Sequence, residues 1–203
     1  MSIPFQDSET AKNLLRAFAG ESQARNRYEF AANLCQKQEL QAMAFIFQAT
    51  AKQEQAHAKV FWDHLQALNG QNLPIYGAYP IEGTNRILEL LRAAQHNEHE
   101  EHGSVYPSFA AIATQEGFPE AAASFRQIAA IEQLHGERFG LLADQLESGA
   151  LFVSQIETGW MCLNCGHTQN SLEAPKQCPV CNHSQGWFIR LELAPWSPVV
   201  KQT

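Results

Sequence analysis

The sequence predicts a mainly α protein, with one bundle of four long helices followed by a small β-rich unit built around cysteines. Three observations carry this reading. Apolar residues recur at steps of three and four along four stretches between Glu9 and Gly149. Each stretch has glutamate in the middle of its apolar row. Beyond Gly149 the helical period stops, and two Cys-x-x-Cys pairs follow among turn residues.

The first helix is expected over Glu9 to Lys37, with Leu14, Phe18, Glu21, Arg25, Tyr28, Ala32 and Cys35 along its inner row. A very short turn near Gln38 makes the second, Glu39 to Leu68, its antiparallel neighbour. That helix buries Met43, Phe47, Thr50, Glu54, His57, Phe61, Leu65 and Leu68. Asn69 to Gly83 holds three Gly and two Pro and suits a long crossover. Thr84 is placed to cap the third helix, whose row is Ile87, Leu91, Ala94, Glu98, Glu101, Val105, Phe109 and Ile112. Pro107 is expected to kink it, and Gly117 to end it. Pro119 fits the first turn of the fourth helix, which carries Ala121, Phe125, Ile128, Glu132, His135, Phe139, Leu142 and Leu146 and ends at Ser148-Gly149. Val153 to Ile156 and Trp187 to Leu193 read as short strands. The expected division is 1–150 for the bundle and 151–203 for the second domain.

Glutamates on apolar rows need a positive partner, because a buried carboxylate alone is prohibitively costly. Residues three apart share a helix face, so Glu54 with His57, and Glu132 with His135, can each converge on one point. A single Glu-x-x-His on a helix is usually a solvated surface pair. Here two such pairs and the lone glutamates Glu21 and Glu98 lie on the rows of four separate helices, the di-iron carboxylate set of a ferritin-like four-helix bundle. Four carboxylates against two divalent ions balance to zero. His64, His96, His99 and His102 are expected to face solvent, with His64 at the row's edge, and Glu29 and Glu100 read as surface charges.

The net charge of −7 excludes the basic face that a nucleic-acid partner would want. Eight of the 21 acidic residues lie between Glu82 and Glu132, several of them proposed ligands, so the surface is less acidic than the total suggests. No apolar run reaches the length of a membrane span, and residues 1–9 show no secretory pattern. The default expectation is a cytoplasmic protein with no membrane partner.

Cys162-x-x-Cys165 and Cys178-x-x-Cys181 suit a tetrahedral site of four thiolates for iron or zinc, and the spacing alone favours a structural zinc ribbon. About 45 residues cannot hold a domain together by core alone, and a metal would supply the missing stability. Trp160, Trp187 and Phe188 are placed to pack around it, and Cys35 reads as a small core residue.

Glu21-Ser-Gln-Ala-Arg-Asn-Arg-Tyr28, Glu54-Gln-Ala-His57, Glu98-x-x-Glu101 leading to Tyr106-Pro107, Glu132-Gln-Leu-His135, Cys162-Leu-Asn-Cys165-Gly166 and Cys178-Pro-Val-Cys181 occur in this order. In these motifs the chain resembles the rubrerythrins over nearly its whole length. The resemblance implies a ferritin-like di-iron bundle and a rubredoxin-like domain with one iron on four cysteines, which favours iron over zinc there. It implies one iron on Glu21 and Glu54, and the other on Glu98 and His135, with Glu54 and Glu132 bridging. His57 and Glu101 would alternate on the first iron, the carboxylate in the oxidised state. Tyr28 and Tyr106 match tyrosines near the family's site, either as packing with a hydroxyl on a ligand carboxylate or as proton donors. The stretch His96-Asn97-Glu98-His99-Glu100-Glu101-His102 is richer in His and Glu than the family pattern.

The activity so implied is a non-haem di-iron peroxidase. It would reduce hydrogen peroxide to water, drawing electrons through the rubredoxin-like iron from an external donor, a rubredoxin or an NAD(P)H-dependent reductase. The chain has no Gly-x-Gly-x-x-Gly after a strand, so the nicotinamide is expected to bind elsewhere. A homodimer would bring one subunit's thiolate iron to the other's di-iron site. The alternatives are a ferroxidase, which the four helices fit equally well, an iron-binding or storage protein of the ferritin-like class, and an electron carrier with a structural bundle.

Overall fold

The computed structural model describes residues 3–194. Helix α1 spans Glu9–Lys37, α2 Gln41–His64, α3 Ile87–Glu100, α4 Tyr106–Glu116 and α5 Pro119–Glu147. A π-turn, Glu101–Val105, joins α3 to α4, so the two run as one interrupted bar and the bundle has four members. The small sheet follows, with β1 Val153–Cys162, β2 Thr168–Glu173 and β3 Phe188–Arg190 in the antiparallel order β2-β1-β3.

Local chemistry sets the helix ends. Ser8 caps α1, its hydroxyl accepting from the amide of Ala11 at 3.0 Å. The Glu116 carboxylate, arriving from the end of α4, accepts from the amides of Glu9 at 3.0 Å and Thr10 at 2.8 Å. Three of the four amides that a helix start leaves open are thereby satisfied. Glu39 takes a left-handed conformation in the turn between α1 and α2. The second helix is shorter than expected, because its last turn, Leu65–Leu68, tightens to a 3-10 helix. Thr84 is not the cap of α3. Arg86 holds that position, and the Thr84 hydroxyl accepts from the Arg86 amide at 3.1 Å.

The inner rows hold with two shifts of register, and Phe18, Leu68 and Leu146 are only half-buried. On α1, Ala24 takes the inner place given to Arg25, which pairs with Glu29 on the outside at 3.3 Å. On the third helix the row slips by one after Glu98. Tyr106, Ala110 and Ala113 are buried where Val105, Phe109 and Ile112 were expected. The π-turn is the cause: its i→i+5 bonding inserts one extra residue and rotates all that follows. It interrupts the bar before Pro107, where a proline kink was expected. In the small domain β1 is longer than expected, β2 was not anticipated, and only Phe188–Arg190 of the last expected strand is extended. Leu191–Leu193 turns into a 3-10 helix, and the remainder of the expected second domain, 195–203, lies outside the described residues.

Two apolar clusters fill the bundle, one on each side of its glutamates. Phe47, Phe139, Leu91 and Met43 lie in the first, and Leu14, Phe61, Phe125 and Tyr106 in the second. Met161 and Ile189 of the sheet join the first cluster, so the cysteine domain is seated on one end of the bundle. Gly186 makes that seat possible: a Cβ there would lie 1.7 Å from the Glu39 carbonyl oxygen. The crossover between α2 and α3 runs along α1, held by Tyr76 O accepting from Arg16 Nε at 2.9 Å and by the Arg27–Glu82 ion pair at 2.8 Å. No helix among the described residues is long and apolar enough to cross a membrane.

Candidate di-iron centre and cysteine site

Between the two apolar clusters the four helices bring six ligand-type side chains together, in two groups. Glu21, Glu54, His57 and Glu132 form one, and Glu54, Glu98, Glu132 and His135 the other. In each group the donor atoms lie within 4.8 Å of one another, and all six residues are buried. Glu54 and Glu132 belong to both. Glu54 turns Oε2 to His57 Nδ1 at 2.9 Å and Oε1 to His135 Nδ1 at 3.1 Å. Glu132 does the same with Oε1 at 2.9 Å and Oε2 at 2.8 Å. The outer acids stand farther off, Glu21 at 3.9 Å from His57 and Glu98 at 3.8 Å from His135.

The buried polar atoms that lack a hydrogen-bond partner concentrate here: Glu21 Oε2, Glu54 Oε1, Glu98 Oε2, both Glu132 oxygens and His135 Nδ1. Such atoms are costly unless something satisfies them. Their lone pairs share two points, and carboxylate with imidazole is a donor set that suits iron. The residues fit a di-iron cofactor.

Electrostatics agree. Burial, with the neighbouring carboxylates, drives the Glu21 and Glu101 carboxyls well above the usual range. Burial also raises Glu98, to about 8. Burial acts the same way on Glu54, but the imidazoles of His135 and His57 against its two oxygens outweigh it and hold it at about 2. Burial acts to lower both imidazoles, and the acids around them reverse this, raising His57 to about 9 and His135 to about 12. Five acids thus share two imidazoliums, which leaves a shortage of positive charge that metal ions would meet.

Glu101 lies outside both donor groups. Its carboxyl nonetheless feels Glu98, Glu132 and Glu54, and it faces a solvent-open cavity at the start of the π-turn. Tyr106 donates its hydroxyl to Glu21 Oε1 at 2.5 Å, and Tyr28 donates to Glu98 Oε1. Both tyrosines are buried, which pushes their hydroxyls well up and keeps them protonated donors.

One contact to the site had not been anticipated. The free Nε2 of His135 meets Gln53 Oε1 at 2.9 Å, a bond from α2 to α5 that leaves Nδ1 for a metal. The only signal for it in the sequence is that Gln53 precedes Glu54. Two histidines expected in solvent are also engaged: His102 Nδ1 lies 2.8 Å from Ala129 O, and His64 Nε2 lies 2.9 Å from Ser124 Oγ. His96, His99, Glu29 and Glu100 are exposed.

At the far end Cys162, Cys165, Cys178 and Cys181 converge. Cys162 Sγ lies 3.7 Å from Cys181 Sγ, and Cys165 Sγ lies 3.6 Å from Cys178 Sγ. These separations are too long for a disulfide and near the edge of about 3.8 Å that 2.3 Å metal–sulfur bonds give a tetrahedron. Two matching loops build the site. Cys162 N donates to His167 O, and Cys178 N donates to His183 O, each at 2.8 Å. Each loop turns on a left-handed residue, Gly166 in one and Asn182 in the other. The His183 amide, pointing at Cys181 sulfur, holds that thiol down to about 5. Trp160 and Phe188 pack against the buried Cys162 and Cys178, with Trp187 beside them. Cys35 is fully buried in the bundle, and burial pushes its thiol up to about 12.

Comparison with known proteins agrees with both sites. The rubrerythrin family model matches residues 12–143, and the model for the rubrerythrin rubredoxin-like domain matches 160–189. Rubrerythrin from Porphyromonas gingivalis is 44% identical, covering 93% of this chain and 92% of its own length. Rubrerythrin from Nitratidesulfovibrio vulgaris is 40% identical, covering 92% and 96%. Among solved structures, fully reduced, all-ferrous nigerythrin aligns with a TM-score of 0.60 at 25% identity over 91% of this chain and 90% of that one. The chain therefore belongs to the rubrerythrin family, with a candidate di-iron centre in a ferritin-like bundle and a four-cysteine iron site in a rubredoxin-like domain.

Proposed function

We propose that this protein is a peroxidase that reduces hydrogen peroxide, H2O2 + 2 H+ + 2 e− giving two waters, and so protects against oxidative stress. The observation that carries the reading is the seating of a four-cysteine site on the end of a bundle that holds a buried Glu/His site. A ferroxidase takes its electrons from its own substrate and has no use for such a domain. A storage protein has none either.

In this reading Glu54 and Glu132 hold the pair between them, with Glu21 and His57 on one side and Glu98 and His135 on the other. Bound iron supplies one-electron donors and Lewis acidity. Glu101 is the ligand in reserve, alternating with His57 as the charge of the site changes. Its place beside both donor groups, but within neither, supports that role. Tyr106 and Tyr28 fix the outer oxygens of Glu21 and Glu98 and keep a proton at each hydroxyl, within reach of the site. The apolar clusters on either side exclude water.

Electrons would come from an external donor, a rubredoxin or an NAD(P)H-dependent reductase, and Cys162, Cys165, Cys178 and Cys181 would hold the iron that receives them. Gln41, beneath the cysteine domain, and Glu54 are separated by about 20 Å of helix at 1.5 Å per residue. That length supports a homodimer in which a second copy brings its cysteine site closer. Four closely set cysteines not joined in disulfides support a reducing compartment such as the cytoplasm.

The test is steady-state turnover with an NADH-dependent rubredoxin reductase system. The proposal predicts NADH oxidation that depends on peroxide and is lost in Cys181→Ser. Oxidation of added Fe(II) by dioxygen as the faster activity would replace the peroxidase with the ferroxidase.

A further inference from the structure

We propose that the site takes small alkyl hydroperoxides as well as hydrogen peroxide, and that they reach it through the cavity between α1, the crossover and the π-turn. This rests on the peroxidase reading. The cavity has a volume of about 310 Å³, several times what hydrogen peroxide fills. Its lining includes Glu101 and Tyr106, the second of which is bonded directly to Glu21.

The walls argue for an apolar group on the substrate. Ala17 and Gly20 of α1, Pro80 of the crossover, and Val105 and Phe109 from the π-turn onward are all apolar. Arg16, Gln23, Asn97, Glu100 and Glu101 supply the polar part of the lining, which suits the hydroperoxide group. A neutral hydroperoxide with a small alkyl tail matches both features. Its O–O bond would break to leave the alcohol and water, with two protons and with two electrons from the nicotinamide-dependent reductase, as for hydrogen peroxide.

Tyr79 sets the width of the passage. Its hydroxyl donates to Arg16 O at 3.0 Å, and its Cε1 lies 3.6 Å from where a Cβ on Gly20 would stand. The backbone of Gly77 curls over the same ring, where a Cβ would come within 2.9 Å of the Tyr79 hydroxyl. The glycine at position 20 leaves the passage open, and a Cβ there would meet the Tyr79 ring at an ordinary 3.6 Å.

The experiment mixes anaerobically reduced, iron-loaded protein with hydrogen peroxide or tert-butyl hydroperoxide and compares the two rate constants. Wild type should react with both. Gly20→Leu should slow tert-butyl hydroperoxide about tenfold more than hydrogen peroxide, and Tyr79→Ala should shift the ratio the other way. Xenon-pressurised crystals give a readout independent of iron, with an atom bound between Gly20 and Phe109 in wild type and none in Gly20→Leu. Fast reaction with hydrogen peroxide but none with the alkyl hydroperoxide overturns the inference and leaves the peroxidase reading standing. So does a ratio unmoved by both substitutions. Slow reaction with hydrogen peroxide itself removes the peroxidase reading and this inference with it.

Discussion

Tyr106 donates its hydroxyl to Glu21 across the bundle at 2.5 Å, and it can do so because it is the first residue after a π-turn. Were Glu101–Val105 ordinary α-helix with the same residues, the inner row would carry Val105 there and Glu21 Oε1 would lose this partner. The same insertion places Glu101 beside the candidate centre but outside its donor groups. One irregular turn therefore sets two features of the site.

Tyr106→Phe should leave the fold intact and destabilise the metal-free protein by about 1–2 kcal/mol, the cost of a buried acceptor losing its donor. Urea denaturation of the apo protein measures it. A change near zero would mean that water replaces the hydroxyl.

Deleting Gly103 should convert the π-turn to ordinary helix and leave Tyr106, Ala110 and Ala113 on the inside, because the residue removed offsets the one the turn inserts. Iron binding and helix content should both be retained, as read by metal analysis and circular dichroism. A sharp fall in binding would show that the turn itself, beyond the register it sets, orients the site.

Glu101→Ala should slow turnover more than it weakens iron binding, because the remaining four glutamates and two histidines already complete both donor groups. Iron titration beside peroxide turnover separates the two effects. Unchanged turnover would remove the alternating role given to Glu101.

These predictions turn on what the sequence could and could not show. The rows on α2 and α5 were legible because burial follows one unbroken period from Met43 to Leu65 and from Ala121 to Leu142. The slip after Glu98 was not, because Val105, Phe109 and Ile112 and the row beside them, Tyr106, Ala110 and Ala113, are both apolar at helical spacing. Strand β2 escaped notice because Thr168–Glu173 is polar and largely exposed, so it lacks an alternating pattern. Gln53 bonds a ligand from an exposed position, which no periodicity marks.

Glu116 supplies a pH-dependent element away from the metal sites. Burial acts to raise its pKa, but the Thr10 hydroxyl and the amides of Glu9 and Thr10 outweigh it and hold it below 4.5. A carboxyl lowered in the folded state contributes stability above the unfolded value, and that contribution is lost as pH falls through the folded one. Glu116→Gln should cost about 1 kcal/mol at pH 7, as expected for a helix cap on a partly screened site. The cost should begin to shrink as pH falls below 4.5 and vanish below the lowered folded value, where the wild-type carboxyl is also neutral. Melting temperatures of both proteins from pH 3 to 7 test this, and parallel curves would contradict it.

Gly186→Val should separate the cysteine domain from the turn at Glu39, since even a Cβ has no room there. The four-cysteine site should still bind its metal, while cleavage by protease in the 148–153 connection accelerates. Unchanged protection would mean that the seat rests on Met161 and Ile189 alone.

The central claim, peroxide reduction at the buried Glu/His site, is tested most directly by rapid mixing. Anaerobically reduced protein with about three irons per chain is mixed with hydrogen peroxide or with dioxygen, and the return of the ferric absorption of the di-iron site is followed. Reoxidation by peroxide at least about tenfold faster than by dioxygen is the predicted result, a difference of about 1.4 kcal/mol in barrier. Equal rates, or a faster reaction with dioxygen, would contradict it.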